Sequence, residues 1–133
     1  MEAVLAAAPG TVAARDATRG GLASALNEMA EASGTGIEID EARLPLHPEV
    51  RGVCEILGLD PLYLANEGTL VLFVPEPQAQ AALAAMRTTP AGVGAAIIGR
   101  AVSANSGMVT MRTLFGGNRI VDMLVGEQLP RIC

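Results

Sequence analysis

The sequence predicts a single domain of the α+β class, in which a mixed sheet is backed by helices. The chain has 133 residues and half of them are apolar, which is enough for one domain with a substantial core. Segments with helical apolar spacing alternate with short β-prone runs. The predicted order is strand, helix, strand, helix, strand, helix and hairpin, and this order is typical of helices layered on a mixed sheet.

Three short elements are predicted at the N-terminus. An alanine-rich helix covers residues 1–10 and ends at Pro9-Gly10. A brief strand follows at residues 11–14. Residues 16–21, with the sequence Asp-Ala-Thr-Arg-Gly-Gly, then form a glycine-rich loop.

A helix and a strand follow this loop. The apolar side chains of residues 21–32 recur at helical spacing and predict an amphipathic helix, which Gly34 ends. Residues 36–40 predict a strand whose two isoleucines, Ile37 and Ile39, share one face.

A second helix is predicted where apolar residues repeat at positions i, i+3, i+4 and i+7. These residues are Val50, Val53, Cys54 and Leu57, and Gly58 ends the helix. Cys54 lies on the apolar face, so we predict a core residue, which is the commonest role of a small buried cysteine. The only histidine, His47, lies just before this helix and is predicted to cap it or to lie at the surface.

The continuous apolar run at residues 69–74 predicts a fully buried strand, preceded by an irregular segment. A third helix is predicted to begin at residues 75–77, with a stripe of alanine and methionine side chains facing the core. Residues 93–102 and 108–113 predict the two strands of a hairpin, because the five residues that join them contain glycine.

The last elements lead into the C-terminal tail. Gly116-Gly117-Asn118 predicts a turn, and residues 119–123 predict a short strand. We expect the two glycines of the turn, together with Gly126, to permit bending towards the tail.

Composition excludes several kinds of site. All nine basic residues are arginine, so lysine-dependent Schiff-base, pyridoxal and Walker-A chemistry is absent. One histidine and two cysteines cannot form an ordinary zinc site, and no metal site is predicted. The net charge is −5 and the arginines are scattered, which argues against nucleic-acid binding. No segment resembles a secretory signal or a membrane span, so we expect a cytoplasmic protein with reduced thiols.

The glycine-rich loop is the first candidate site. Glycines just before a helix free backbone N–H groups to bind an anion at the positive end of the helix dipole. Arg19 adds a cation suited to phosphate, and Asp16 could hold magnesium or orient Arg19. A strand-to-helix turn that needs glycine for its dihedral angles explains the same residues, so both interpretations stay open.

Two further residues are candidates for chemistry. Glu67, in the run Ala65-Asn66-Glu67-Gly68 before the apolar strand, could be a general base or position a substrate, or it could be a solvated turn residue. Cys133 is the last residue of the chain, at the end of a short tail. A terminal thiol could be a mobile nucleophile, or the chain could simply end at cysteine.

These segments together resemble the HypE family of hydrogenase maturation proteins. The resemblance rests on residues 16–22, 54–61, 65–68 and above all the terminal Pro-Arg-Ile-Cys. It covers nearly the whole chain, and the Gly-Gly loop alone marks the wider aminoimidazole ribonucleotide synthetase-like superfamily. The implied fold is the C-terminal domain of that superfamily over residues 1–125, followed by a flexible tail at residues 126–133 that carries the acceptor Cys133.

The resemblance also implies a chemistry. A partner carbamoyltransferase places a carbamoyl group on Cys133, and ATP-dependent dehydration converts it to a thiocyanate. An iron scaffold complex then receives the cyanide for a [NiFe]-hydrogenase centre. The implied catalytic residues are Cys133 and Glu67. The implied cofactor-binding residues, for ATP and magnesium, are Asp16, Thr18, Arg19, Gly20 and Gly21.

The chain departs from the family in length. Family members carry an N-terminal domain that makes most of the ATP and magnesium site and the homodimer, so Met1 is expected to mark a truncation. We therefore expect this chain alone to be inactive and to bind no cofactor tightly. The alternatives are a non-catalytic α+β binding module, or another ATP-dependent superfamily member of the selenophosphate or thiamine-phosphate type. The latter needs no terminal thiol.

Overall fold

A computed structural model describes residues 1–123 of the chain. The predicted tail at residues 126–133, with Cys133, lies outside the described residues. The described part contains four α-helices and six strands, together with short 3₁₀ turns. In chain order these are α1 (Glu2–Ala7), β1 (Ala13–Ala17), α2 (Gly21–Ser33), β2 (Gly36–Asp40), α3 (Pro48–Leu57), β3 (Asn66–Phe73), α4 (Ala79–Arg87), β4 (Gly99–Val102), β5 (Val109–Arg112) and β6 (Asn118–Ile120).

The strands form two sheets. The larger sheet has the order β4-β2-β5-β6 and is mixed, because β2 pairs with β4 antiparallel and with β5 parallel. Strand β6 pairs antiparallel with β5, while β1 and β3 form a separate antiparallel pair. The predicted α+β class with a mixed sheet is therefore confirmed. No helix within residues 1–123 is long and apolar enough to cross a membrane.

The main core lies between α2 and the mixed sheet, and it is built from small aliphatic side chains. Leu26 of α2, Val109 of β5 and Val121 after β6 are its largest fully buried members. A smaller apolar cluster joins α1 to α4 through Val4 and Ala82. Helix α2 thus covers the sheet with one apolar face, as its spacing predicts.

The predicted hairpin of residues 93–102 and 108–113 is wrong. Strands β4 and β5 do not pair with each other, because β2 lies between them. Ile37 and Ile39 of β2 are each only 3% exposed, as expected for the central strand of a sheet. The link between β4 and β5 crosses the start of β2, where the carbonyl oxygen of Ala104 lies so close to Gly36 that a side chain there would collide with it.

The predictions for the other pair of strands also need correction. Strand β1 starts two residues later than predicted and includes Asp16, which therefore belongs to the strand and not to the loop. Strand β3 is not fully buried, because Leu70 is 54% exposed and Val71 is its one buried residue. Strand β3 pairs only with β1 within the described part, so its second edge has no strand partner there.

Helix α3 forms as predicted, but most of its apolar stripe faces solvent. Cys54 is 3% exposed and is a core residue as predicted. Val53 and Leu57 of the same stripe are more than half exposed. His47 is the N-cap residue of α3, and its side chain makes no capping hydrogen bond.

Candidate functional site

The pairing of β1 with β3 brings two of the predicted site segments together. Asp16 lies opposite Leu70, and the next residue, Ala17, lies opposite Asn66. The residues between Asn66 and Leu70 therefore bulge out of the ladder, and Gly68 takes a left-handed φ of 82° there. Glu67 lies in this bulge, within strand β3 and not before it as predicted.

The glycine loop leads directly from this pair of strands into α2. Thr18 and Arg19 connect β1 to Gly20, which is the N-cap residue of α2 with a left-handed φ of 68°. No side chain caps this helix of 13 residues. The first N–H groups of a helix have no partner within the helix, so this start of α2 has the geometry that binds anions elsewhere.

Gly21 has a packing role that the sequence did not reveal. A Cβ atom at this position would lie 2.5 Å from the carbonyl oxygen of Leu62 and closer still to that of Leu64. The 3₁₀ turn Pro61–Tyr63 therefore packs directly against the start of α2. This observation supports the structural interpretation for Gly21. The open side of the loop is therefore the side that carries Thr18 and Arg19. Cofactor binding by this loop stays a prediction.

The charged side chains of the candidate site are exposed. Asp16, Arg19 and Glu67 are all exposed, while Thr18 is half-buried. The ion pairs formed within residues 1–123 join other residues, namely Arg15 to Glu28, Arg43 to Asp40, Arg100 to Glu38 and Arg119 to Asp60. The charges of the candidate site are thus available to a ligand.

Two clefts of the described part lie elsewhere. One of about 390 Å³ lies beside the last described residues and is lined in part by Asn27, Ile120 and Met123. The other, of about 340 Å³, is lined in part by Cys54 and Arg119. Neither cleft is lined by the loop residues or by Glu67. The candidate residues therefore lie on an open surface and not in either of these clefts.

A second group of polar contacts surrounds the end of the described chain. The amide of Val121 donates to the carbonyl of Val109 at 2.8 Å. Asn27 Nδ2 donates to the Val121 carbonyl at 2.8 Å, and the Tyr63 hydroxyl donates to the Asp122 carbonyl at 3.0 Å. These two side chains are 94 and 59 residues away from their partners in sequence, so no local pattern could have revealed the contacts.

Two charged neighbours complete this group. Arg119 Nη2 donates to Asp60 Oδ2 at 2.5 Å, which ties β6 to the 3₁₀ turn.

Partial burial raises the pKa of the Tyr63 phenol above its ordinary value, and the negative charge of Asp60 raises it further. Tyr63 therefore stays protonated at neutral pH and can donate to the Asp122 carbonyl.

Comparison with known families gives one match to a family model. The model described as "AIR synthase related protein, C-terminal domain" matches residues 1–112. The match includes the candidate loop, Glu67 and the first five strands of the structure.

Named relatives and solved structures extend this match. The chain is 71% identical to the carbamoyl dehydratase HypE of Rhodobacter capsulatus over all 133 residues. A crystal structure of the hydrogenase maturation protein HypE in complex with ATP is similar to it with a TM-score of 0.86 and 48% identity over 93% of the chain. A HypE–HypF complex is similar with a TM-score of 0.87 and 40% identity over 92% of the chain.

These relatives are much longer than the chain. The chain spans 39% of the length of the Rhodobacter relative, 38% of the ATP-bound protein and 40% of the protein in the HypE–HypF complex.

Proposed function

The chain belongs to the AIR synthase related C-terminal domain family, in its HypE group, and we propose that it is the domain of a carbamoyl dehydratase that carries the acceptor thiol. The observation that supports this most directly is the 71% identity to a HypE carbamoyl dehydratase along the entire chain, tail included. We further propose that this domain works together with a part corresponding to the remaining length of its relatives. The two together are here called the complete enzyme.

The proposed chemistry takes place on Cys133. Its thiolate attacks the carbamoyl carbon delivered by a carbamoyltransferase, so that an S–C bond forms and the bond from that carbon to its carrier breaks. ATP, when bound, supplies a phosphoryl group that makes the carbamoyl oxygen a leaving group. The thiocarbamate and ATP give the thiocyanate, ADP and phosphate. The carbamoyl oxygen leaves in the phosphate, together with the two protons of the carbamoyl nitrogen. The iron substrate of a [NiFe]-hydrogenase centre then takes the nitrile group: an Fe–C bond forms with an electron pair supplied by the iron, the S–C bond breaks, and its electron pair returns to Cys133 as the thiolate.

The glycine loop is proposed to hold the phosphates of ATP. The uncapped start of α2 offers backbone N–H groups, and the exposed Arg19 offers a forked cation. Thr18 and Gly20 flank Arg19 in the same loop. We assign Asp16 to orienting Arg19 or holding magnesium, since its carboxylate is exposed at the end of β1.

Glu67 is proposed as the base that removes a proton from the carbamoyl nitrogen. Its support is the bulge in β3, which places it opposite the junction of Asp16 and Ala17 and hence next to the loop. An exposed carboxylate on a fixed bulge can accept a proton from a substrate that comes to it.

Chain length is sufficient for the proposed path of the thiol. Cys133 lies eleven residues after Asp122, and eleven residues of fully extended chain span at most about 36–40 Å. Within α2, Asn27 lies six residues after Gly21, which corresponds to roughly 9 Å along the axis. Because Asn27 contacts Val121, this length is enough for the thiol to reach the glycine loop.

The partners and location follow from the same proposal. A carbamoyltransferase of the HypF kind loads Cys133, an iron scaffold complex receives the cyanide, and the complete enzyme is a homodimer in the cytoplasm. The described domain alone presents its loop on an open surface, so we propose that it binds ATP weakly by itself.

Alanine substitution at Asp16, Arg19 and Glu67 in the complete enzyme tests the proposed site. Each side chain is exposed, so stability should change by no more than about 1 kcal/mol, while ADP formation from carbamoylated Cys133 should fall sharply. Arg112→Ala is a matched control, because Arg112 is also an exposed arginine at the end of a strand. A large fall in melting temperature with unchanged turnover would show that these residues serve the fold.

A further inference from the structure

The cleft of about 340 Å³ beside α3 has an apolar floor. Cys54 of α3, Leu62 of the 3₁₀ turn Pro61–Tyr63 and Met111 of β5 form this floor, and each of them is at most 4% exposed. We call this cavity the α3 cleft. Small-molecule sites of proteins commonly have volumes of about 300–1,000 Å³ and are lined mainly by apolar side chains. The α3 cleft therefore suits the apolar part of a small ligand.

Three of the charged side chains that line the α3 cleft are engaged within the protein. Asp60 Oδ2 accepts from Arg119 at 2.5 Å, and Asp60 Oδ1 accepts from the Leu62 amide at 3.0 Å. Glu41 Oε2 accepts from the Leu114 amide at 2.9 Å. These contacts fix the shape of the cleft.

The turn that carries Leu114 is not the hinge that the sequence suggests. The Thr113 amide donates to the Gly117 carbonyl at 2.7 Å, and the Gly117 amide donates to the Thr113 hydroxyl at 3.1 Å. Gly116 also donates to the Thr113 carbonyl at 3.0 Å. The predicted bending at Gly116-Gly117 is therefore wrong, because this turn is closed by its own hydrogen bonds. It holds the Glu41 side of the cleft rigidly.

Two further charged side chains line the cleft, and the structure shows no ion pair or side-chain hydrogen bond for either of them within residues 1–123. They are Arg51, which is half-buried, and Glu55, which is exposed. They lie four residues apart on α3, but an arginine that precedes a glutamate at this spacing is the less favourable order for an ion pair within a helix. One positive and one negative charge are thus available to a ligand at the same cleft.

We propose that the α3 cleft binds a free amino acid with an apolar side chain. The ligand's side chain packs on the apolar floor, its carboxylate binds the forked guanidinium of Arg51, and its ammonium group pairs with Glu55. A zwitterion fits the cleft better than a simple anion, because the charges of Arg51 and Glu55 sum to zero and Glu41 adds a negative charge nearby. This site involves neither Cys133 nor ATP, so it is independent of the proposed carbamoyl chemistry.

Calorimetric titration of the complete enzyme with L-phenylalanine tests the proposal. Two analogues each lack one of the ligand's charges: 3-phenylpropanoate has no ammonium group and phenethylamine has no carboxylate. Arg51→Met and Glu55→Gln remove the two protein charges. Arg112→Met is the matched control, because Arg112 is an exposed arginine of β5 that does not line the cleft. The melting temperature of each variant without ligand checks that it is folded.

L-phenylalanine should bind, and its affinity should fall at least about tenfold in Arg51→Met and about threefold in Glu55→Gln. The affinity in Arg112→Met should be unchanged, and both analogues should bind more weakly than L-phenylalanine. Equal binding of all three compounds would overturn the proposal, as would an equal loss in Arg51→Met and Arg112→Met or no binding at all.

Alkylation of Cys54 locates the bound ligand. Saturating L-phenylalanine should slow the reaction of iodoacetamide with Cys54, because the ligand covers the floor on which this thiol lies. The same concentration should protect Cys54 far less in Arg51→Met. Binding of L-phenylalanine that leaves the alkylation rate of Cys54 unchanged would place the ligand elsewhere and would refute the assignment of this cleft.

Discussion

Gly21→Ala is the substitution whose effect the structure defines most sharply. Gly21 has a φ of +63°, a left-handed conformation that costs an L-residue roughly 1–2 kcal/mol. The new methyl group would lie 2.5 Å from the Leu62 carbonyl oxygen and closer to that of Leu64. Both are backbone atoms that cannot rotate away, and overpacking of this kind costs about 1–3 kcal/mol. We expect a total loss of about 2–5 kcal/mol.

Two other glycines separate these contributions. Gly58 has a similar φ of +66°, but a methyl group added there would have nothing within 4 Å, so Gly58→Ala should cost only the conformational part. Gly52 lies inside α3 with open space around it, so Gly52→Ala should stabilise the chain by about 0.5–1 kcal/mol. Urea unfolding followed by circular dichroism measures all three variants under identical conditions.

The outcome decides how loop variants are to be interpreted. A loss of about 3 kcal/mol corresponds to a fall in melting temperature of roughly 10–15 °C for a domain of this size. If Gly21→Ala loses no more stability than Gly58→Ala, the carbonyls of Leu62 and Leu64 do not crowd this position and the packing argument is wrong. If it loses more, reduced ATP binding in this variant reports on folding and not on a phosphate contact.

The single tyrosine, the two cysteines and the binding of ATP each give a direct measurement on this chain. Tyr63 is the only tyrosine and there is no tryptophan, so tyrosinate absorbance should show a pKa above 10 that Asp60→Asn lowers; an ordinary pKa would contradict the burial of the phenol. The folded chain holds the phenol proton of Tyr63 more tightly than the unfolded chain, so this proton adds to the free energy of unfolding below pH 10. The added stability is lost as the pH rises through the raised pKa of Tyr63, and Tyr63→Phe should remove this part of the alkaline loss of stability. Alkylation of the native protein should label Cys133 quickly and Cys54 slowly. Equal labelling would contradict the expectation that the Cys133 thiol is accessible and the Cys54 thiol is buried. Calorimetry with magnesium-ATP should show weak binding or none to this chain alone, and micromolar affinity would refute the dependence on a second part.

The helices and the central strand were predictable because their signals are local. The bounds of α2 and β2 agree with the predicted segments to within one residue, since apolar spacing and glycine ends lie within the elements themselves. Helix α3 shows the limit of such patterns. Its spacing predicts a helix correctly, but spacing does not say what covers the stripe, and Cys54 is its one buried residue in the described structure.

The pairing of strands was harder to predict because it depends on competition between distant segments. The five-residue link predicted at residues 103–107 suggests a hairpin, but β2, whose Ile37 and Ile39 are buried, takes the central place between β4 and β5. The candidate site shows both sides of this limit. Sequence motifs identified the loop and Glu67 separately, and only the irregular β1–β3 register places them together. The contacts of Asn27 with Val121 and of Tyr63 with Asp122 join residues far apart in the chain, and no sequence pattern predicts them.

Mass spectrometry of the C-terminal peptide decides whether Cys133 is the residue that accepts the carbamoyl group. The complete enzyme is incubated with a carbamoyltransferase and its carbamoyl donor, and ATP is added afterwards, with Cys133→Ser as the control. We expect one carbamoyl group on Cys133, followed after ATP addition by the loss of one water to give the thiocyanate, with Cys54 unmodified throughout. An unmodified Cys133, or a carbamoyl group on Cys54 in its place, would contradict the assignment of Cys133 as the acceptor.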